Sequence, residues 1–550
     1  MSEKDLLLSN HNEMEDVLDR ILFYIGDGGR SQVMIIFWIC VVVLFNSATH
    51  VTYVYTAINS DYRCLIPGCD GSDAKYETNW LDNAIPSTSN NVYDKCEMYD
   101  RINNSINVFN NCTATAFNRS NVVKCDEFVF RDNENYIARE FGLLCEENLW
   151  KLTLVGTLNT LGMFFGLLIT GVISDKYGRK FVLLGGICGC GIFGLIKAFS
   201  PTYEWFCVFE FIEAVFAAGI YVCGFILGVE LVTPKNRVIT GCISCTSYAL
   251  GEVLVAAVAW AVKDWKLLIY YLYGPCALCI FLYWSIPESI RWYLSKGKLE
   301  EAKDVLRKFA KANNKSISEG ALNKLKLIIQ EQEELHESVS FVEMLKSWPL
   351  LLRFLNVGFC WMTCAFLFYG LTLNSVTLSA NSYADFMYIS LTEVPAYWAS
   401  TYVSNRYGRK YTMSVSYALA SISCFAFLSI SSDIEWLHTI VYCLGKFGAT
   451  SAFILIYVVA SEMFPTSLRN TTMGITSMVA RLGAIMSPQI PLLAKLWKPL
   501  PLLLFASLAA VATVTSLFFP ETLNLKLPDT IKEAENIGKK VPTDTDSIDG

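Results

Sequence analysis

Histidine is scarce in this chain, four in 550 residues, and charged side chains make up only 17% of it. No Gly-x-x-x-x-Gly-Lys-Ser/Thr, His-Glu-x-x-His or Gly-x-Ser-x-Gly sequence occurs. The pairs Cys242-x-x-Cys245 and Cys276-x-x-Cys279 have no neighbouring histidine or second pair, so they read as small core residues rather than metal ligands. These absences argue against nucleotide-driven and hydrolytic chemistry, and no enzyme activity, metal or cofactor is expected. So little charge also excludes a disordered or nucleic-acid-binding chain.

What the chain has in excess is apolar surface. Hydrophobic residues make up 53% of it and the mean hydropathy is +0.37. A hydrocarbon core of roughly 30 Å is crossed by about 20 apolar residues, so twelve crossings would use about 240 and leave a few hundred for loops. Apolar runs of that length lie near 33–53, 148–173, 181–199, 203–228, 238–262 and 265–287, then near 349–371, 383–404, 411–431, 435–460, 470–494 and 499–519. Lipid offers no partner for backbone N–H and C=O groups, so these runs are read as helices. The expected fold is an all-α membrane protein of twelve transmembrane helices in two six-helix bundles, 33–287 and 349–519, with a large extracellular loop at 57–147. A cytoplasmic N-terminus at 1–32, a cytoplasmic helical loop at 288–348 and a cytoplasmic tail at 520–550, polar and disordered after Pro528, complete the plan.

Orientation follows the Lys and Arg content of short loops. The loops at 174–180, 229–238, 404–410 and 461–470 hold nine, whereas those opposite hold Lys263, Lys266, Lys495 and Lys498. Both termini are therefore expected in the cytoplasm. About 32 residues of mixed charge precede the first run and no cleavage site follows it, so that helix is expected to act as a retained internal signal.

The net charge of −7 comes from one place: residues 57–147 hold eight Lys and Arg against fifteen Asp and Glu. Six cysteines fall there, Cys64, Cys69, Cys96, Cys112, Cys125 and Cys145, and an even set in an oxidising compartment predicts three disulfides of undetermined connectivity. Sequons at Asn103, Asn111 and Asn118 predict glycosylation of the same loop. The central loop repeats Leu294, Leu299, Leu306 and Phe309 at helical spacing among eleven basic and ten acidic residues, which predicts short amphipathic helices bracing the bundle.

Three patterns occur twice in the same order. Ser174-Asp-Lys-Tyr-Gly-Arg-Lys180 returns as Ser404-Asn-Arg-Tyr-Gly-Arg-Lys410. Glu230 and Arg237 around Pro234 return as Glu462 and Arg469 around Pro465, and Pro287-Glu-Ser returns as Pro520-Glu-Thr. Each lies at a cytoplasmic helix end, so the halves are parallel repeats that rock about a central site. Asp175, Arg179, Glu230, Arg237, Glu288, Arg409, Glu462, Arg469 and Glu521 are the candidate gating residues, expected to pair across the cytoplasmic face when the bundles approach. Asn405 stands where the first repeat has Asp175, which predicts a weaker second latch.

These motifs, with PESIRWYLSKGKLEEA after the sixth helix, SEMFPTSLRN and the closing PET, resemble the major facilitator superfamily. Within it the chain is similar to the organic cation, organic anion and carnitine transporters, solute carrier family 22. That resemblance implies a plasma-membrane secondary transporter of small organic ions with alternating access. One departure is plain: many facilitators carry arginine in the fourth helix where this chain has Glu210, with Glu213 one turn on.

An ionisable group at mid-bilayer costs about 2.5–3.5 kcal/mol on insertion scales, so each one is a candidate for function. At about 1.5 Å per residue, Arg481, Lys446 and Glu393 all lie roughly 15–16 Å into their helices. Arg481 could grip a carboxylate through two parallel donors and Glu393 could offset an ammonium. Tyr221, Trp361, Phe368 and Tyr397 could cage an amine, and Asn46 sits at similar depth. The family resemblance implies arginine at position 481 in anion and carnitine carriers and aspartate in cation carriers. It places TEVPAYWAS around Tyr397 with the carnitine branch, where anion carriers have lysine. A zwitterion or amine is the first-choice substrate, with an organic cation or anion uniporter or exchanger as the alternative within the family and a receptor or channel outside it. Sodium or proton coupling is left open, with Asn46 pointing to sodium by resemblance and Glu210 and Glu213 to protons.

Overall fold

The computed structural model describes residues 15–538 apart from 27, 59–60, 88–92, 103–111, 132–133, 324, 327–340, 379–380, 431–433, 467, 526 and 529. Twelve helical segments stand where the apolar runs predict them. They are α1 (Arg30–Thr56), α2 (Glu146–Tyr177), α3 (Arg179–Lys197), α4 (Tyr203–Glu230), α5 (Pro234–Val262) and α6 (Trp265–Trp284) in the first half. The second half has α7 (Trp348–Asn374), α8 (Ser382–Tyr407), α9 (Arg409–Ser429), α10 (Glu435–Met463), α11 (Arg469–Met486, continued by Ser487–Gln489 and Ile490–Leu496) and α12 (Leu500–Ser516).

Among the described residues nine of these are long and apolar enough to cross a membrane. The other three differ for visible reasons. Helix α8 carries Asp385, Glu393 and Arg406, α11 carries Arg481 and is interrupted at Ser487–Gln489, and α12 has 17 residues. Outward-facing apolar side chains such as Val172 and Trp284 are 70% and 81% exposed in the isolated chain, as a lipid-facing surface requires.

Small residues let the helices approach. Gly162 and Gly166, four apart on α2, face the Phe211 and Val215 carbonyls of α4, and a Cβ on either would collide with them. Gly251 on α5 stands in the same way against the Leu44 carbonyl of α1. Helix α1 is interrupted at Val51 and Thr52, between Arg30–His50 and Tyr53–Thr56.

The segment between α1 and α2 is a small domain of its own. Strands β1 (Tyr62–Cys64) and β4 (Phe128–Phe130) pair antiparallel, as do β2 (Glu97–Arg101) and β3 (Phe117–Lys124), over a core of Cys64, Ile66, Leu81, Ala84, Ile85 and Phe117. The predicted disulfides form, and the fold decides their pairing as Cys64–Cys125, Cys69–Cys112 and Cys96–Cys145. The buried Arg63 is held by both oxygens of Asp70 at 2.7 Å and by the Tyr76 carbonyl at 2.9 Å. Asn118 is exposed on β3; Asn103 and Asn111 lie outside the described residues. The domain docks where the Asn135 backbone meets Lys263 and Trp265, and the Tyr136 hydroxyl reaches that of Tyr383 on α8 at 3.0 Å.

One terminal segment adds to the sequence reading and the other corrects it. Residues 1–32 hold an amphipathic helix, Glu15–Gly26, whose Leu18, Ile21, Leu22 and Ile25 are buried against the helix Leu299–Ala312. Lys315 and Asn313 donate to the carbonyls of Tyr24 and Ile25. The apolar spacing of EDVLDRILFYIG carried that signal. The tail expected to be disordered after 528 instead forms Ile531–Asn536, where Arg353 of α7 donates to the carbonyls of Ala534 at 2.6 Å and Ile537 at 3.1 Å.

A central polar cluster as the candidate functional site

The repeated motifs resolve into two copies of one clamp. Gly178 and Gly408 have φ of +105° and +102°, a backbone that only glycine adopts readily, and they open α3 and α9. The first-turn N–H groups so exposed receive a carboxylate, as a helix N-terminus favours. Arg179 N and Lys180 N donate to Glu288 at 3.0 and 3.1 Å, and Arg409 N and Lys410 N donate to Glu521 at 2.8 and 3.2 Å. A Cβ on either glycine would collide with that carboxylate. Glu230 accepts from Ser289, and Glu462 accepts from Thr522 at 2.5 Å.

Asp175, Arg179, Glu230, Glu288, Arg409, Glu462 and Glu521 thus find partners within their own half, whereas the pairing expected between halves belongs to a state in which the bundles approach at this face. Arg179 meets Asp175 at 3.4 Å, Arg409 meets Glu462 at 3.3 Å, and Arg237 with Arg291 holds Asp19 of the N-terminal helix at 3.1 and 2.7 Å. The second arginine loses its acid at Asn405 and takes Glu462 instead. Arg469 opens α11.

The halves meet instead along α5 and α8, from Trp398–Thr246 at 3.2 Å to Cys242–Thr401 at 3.6 Å, and at the ends nearer the disulfide domain. There Gln489 of α11 bonds Thr153 and Thr157 of α2, and Tyr55 stacks on Tyr383 at 5.4 Å.

At mid-depth on this seam Lys446 of α10 and Glu393 of α8 form an ion pair of 2.7 Å with both side chains fully buried. Lys446 also donates to Thr372 at 2.6 Å and to the Phe368 carbonyl at 3.1 Å, and its ammonium lies 3.4 Å from the Phe368 ring centroid. The other oxygen of Glu393 accepts from Tyr397 at 2.9 Å. Two sequence expectations change here. Glu393 is neutralised by the protein's own lysine, and of the aromatics proposed for an amine cage Phe368 takes Lys446 and Phe453 on its ring while Tyr397 turns its hydroxyl to Glu393. Trp361 is buried edge-to-face on Tyr457 at 4.6 Å, and Phe453 joins Tyr457 to Phe368.

Arg481 does not pair with Glu393 or with any other carboxylate among the described residues. It is partly buried, and its electrostatic neighbours are hydroxyls, those of Tyr369, Tyr457 and Tyr248. His50 of α1 also faces it, bonded through Nδ1 to the Tyr248 hydroxyl at 2.9 Å. Tyr221 packs edge-to-face on Tyr248 at 5.2 Å and bonds Cys245 at 3.3 Å. Asn46 is buried with its Oδ1 unpaired, and among the described residues no hydrogen bond joins it to the cluster.

The sequence reading missed Glu252 of α5. It is fully buried, with Glu393 and Ser390 of α8 and Lys446 of α10 as its neighbours, and no hydrogen bond of good geometry reaches either carboxylate oxygen. The rule that flags mid-span charges flags this one too. It also missed Lys197 at the end of α3, whose ammonium meets Glu210 at 2.6 Å and Glu213 at 2.8 Å inside the first half. Lys197 lies at the edge of its apolar run, where a basic residue is ordinary.

Known proteins match this architecture along its length. The sequence pattern of the Major Facilitator Superfamily matches residues 134–488. The organic cation transporter protein of Drosophila melanogaster is 30% identical over 537 residues, 95% of each chain. The chain belongs to the major facilitator superfamily, within solute carrier family 22. Human solute carrier family 22 member 2 is 30% identical over 95% of this chain and 96% of its own, and human organic cation/carnitine transporter 2 is 28% identical over 94% and 95%. The Escherichia coli proton:xylose symporter XylE shares the fold, with a TM-score of 0.58 at 14% identity over 90% of this chain and 98% of its own. This facilitator is thus a multi-pass secondary transporter and not an enzyme.

Proposed function

We propose that this facilitator carries small organic solutes bearing a fixed positive group, with zwitterions of the carnitine, betaine or amino-acid kind as first choice, across the plasma membrane by alternating access. The termini lie in the cytoplasm and the disulfide domain outside, a reading supported by loop charge and by the three disulfides.

One observation carries the substrate reading. Among the described residues Arg481 has no carboxylate of its own, whereas Glu393 does have its lysine. A guanidinium kept at mid-depth against tyrosine hydroxyls and a histidine is matched by an incoming carboxylate, which takes two parallel N–H donors. The same seam has carboxylates in excess on its α5–α8 side, so a solute with a cationic and an anionic end fits both. Lys446 and Glu393 set the electrostatics of the wall rather than gripping the solute directly.

Arg481→Ala is expected to lower uptake of carboxylate-bearing solutes by roughly 10- to 100-fold, the equivalent of about 1.5–3 kcal/mol for a charged hydrogen bond, while surface expression persists. Unaltered uptake removes the proposal. The second reading, an organic cation carrier, is favoured by the names of the relatives. A competition screen of carnitine, β-alanine, a pure cation and a dicarboxylate, with and without sodium, separates the two and reports the coupling ion. Saturable uptake accelerated by unlabelled solute on the far side excludes a channel or receptor.

A further inference from the structure

We propose that Glu252 is a shared seat for a proton and for the cationic group of the solute, so that the carrier exchanges one organic cation for one proton. The inference rests on the reading that the solute bears a positive group, but not on Arg481.

The geometry is a charge count across the seam between the halves. Glu252 comes from α5 of the first half; Ser390 and Glu393 come from α8, and Lys446 from α10, of the second. All four side chains are fully buried. Two carboxylates face one ammonium, and that ammonium sits 2.7 Å from Glu393. The Tyr397 hydroxyl is spent on Glu393 as well. No hydrogen bond of good geometry reaches either oxygen of Glu252, although the Ser390 hydroxyl and the Glu393 carboxyl lie within reach of it.

Two fully buried carboxylates that share a single ammonium leave one negative charge uncompensated, and such a charge is costly in a protein interior. One added positive charge neutralises the trio, and two kinds are at hand: a proton on the carboxyl or the cationic group of a solute entering between the halves. Both cannot occupy the seat together. The other groups that face it do not supply that charge. Tyr55 of α1, Tyr53, Tyr248, Tyr369 and Tyr397 bring hydroxyls, and the Tyr55 hydroxyl is itself unpartnered. His50 is committed to Tyr248, and Arg481 lies among Tyr369, Tyr457 and Tyr248. Asp385, close to Tyr55, adds a further negative group.

The exchange balances. The neutral carboxyl of Glu252 meets the cation, its O–H proton leaves to water on the open side, and the carboxylate stays as counter-ion to the cation. On release the reverse occurs. Because α5 and α8 belong to different halves, a seat that is neutral in either loaded form lets the seam close, and an empty charged one opposes closure.

The test uses the purified full-length carrier in detergent, with choline, carnitine and tetraethylammonium as probes titrated calorimetrically from about pH 5.5 to 8 in buffers of different ionisation enthalpy. Competition with one proton predicts that the apparent affinity for choline falls about tenfold per pH unit over the acid part of the range, with one proton released per cation bound there. Glu252→Gln is expected to flatten this dependence whatever affinity it retains, and Glu252→Asp to restore it. A pH-independent wild type, the same pH dependence in Glu252→Gln, or no binding of any of the three cations overturns the proposal. If Glu252→Gln does not fold, the proton count on the wild type decides alone. Choline has no carboxylate, so its pH dependence reports on Glu252, whereas a failure of Arg481→Ala to discriminate carnitine from choline counts against the zwitterion reading only.

Discussion

Two buried clusters in this facilitator have the same composition, two carboxylates to one lysine, and opposite degrees of completion. In the first half Lys197 bonds one oxygen each of Glu210 and Glu213, and the remaining oxygens take Asn159 at 2.8 Å and Tyr273 at 2.6 Å. Every carboxylate oxygen there has a donor, and all five side chains belong to one bundle. On the seam Glu393 has the Lys446 ammonium at one oxygen and the Tyr397 hydroxyl at the other, Glu252 has neither, and the members come from both bundles. A filled network inside a rigid body holds helices together; an unfilled one across a moving interface is completed by what passes through it. The carboxylates of α4, to which the sequence pointed for proton transfer, belong to the filled cluster, where each oxygen already has a donor.

Four substitutions sharpen or break this contrast. Lys197→Met leaves two buried carboxylates without their ammonium and is expected to destabilise the first half by about 3–5 kcal/mol, seen as loss of folded carrier in thermal unfolding. Adding Glu210→Gln and Glu213→Gln to it restores most of that loss; an unchanged melting curve for the single variant would erase the structural role. Lys446→Met is expected to cost less, about 1–3 kcal/mol, because a proton on the Glu252–Glu393 pair can replace the missing charge. Equal losses at the two lysines would show that the clusters do not differ.

The tyrosines divide in the same way. Tyr273→Phe is expected to lower thermal stability by about 1 kcal/mol and leave solute affinity alone, while Tyr397→Phe shifts affinity by roughly fivefold. The smallest effect belongs to the edge of the molecule. Arg237→Ala breaks a partly exposed pair with Asp19 worth about 0–1 kcal/mol and is expected to slow turnover more than it weakens binding. A change confined to apparent affinity would separate the N-terminal helix from the transport cycle.

Much of this was legible in one dimension because lipid leaves the backbone few choices. Apolar run lengths gave the helices, and loop charge gave a topology with which the six cysteines of 57–147 agree. The repeated Tyr-Gly-Arg-Lys and Pro-Glu-Ser or Pro-Glu-Thr motifs were visible, but their work was not. Sequence shows that Glu288 and Arg179 recur together, and only the fold shows that the carboxylate caps the helix beginning at that arginine instead of reaching the other half. Residues of mid-span charge were found wherever the rule was applied. Glu252 escaped because its run, 238–262, read as uninterrupted packing, and Lys197 because a basic residue at a helix end is ordinary.

Length, hydropathy and repeats therefore determined what kind of protein this is, since each depends on neighbours along the chain or on the solvent. Which charge neutralises which was settled only in three dimensions. Glu393 lies 53 residues from Lys446 and 88 from Arg481, and a carboxylate buried between helices takes the cation that packing brings within a hydrogen bond of it, not the one that chemistry alone would nominate.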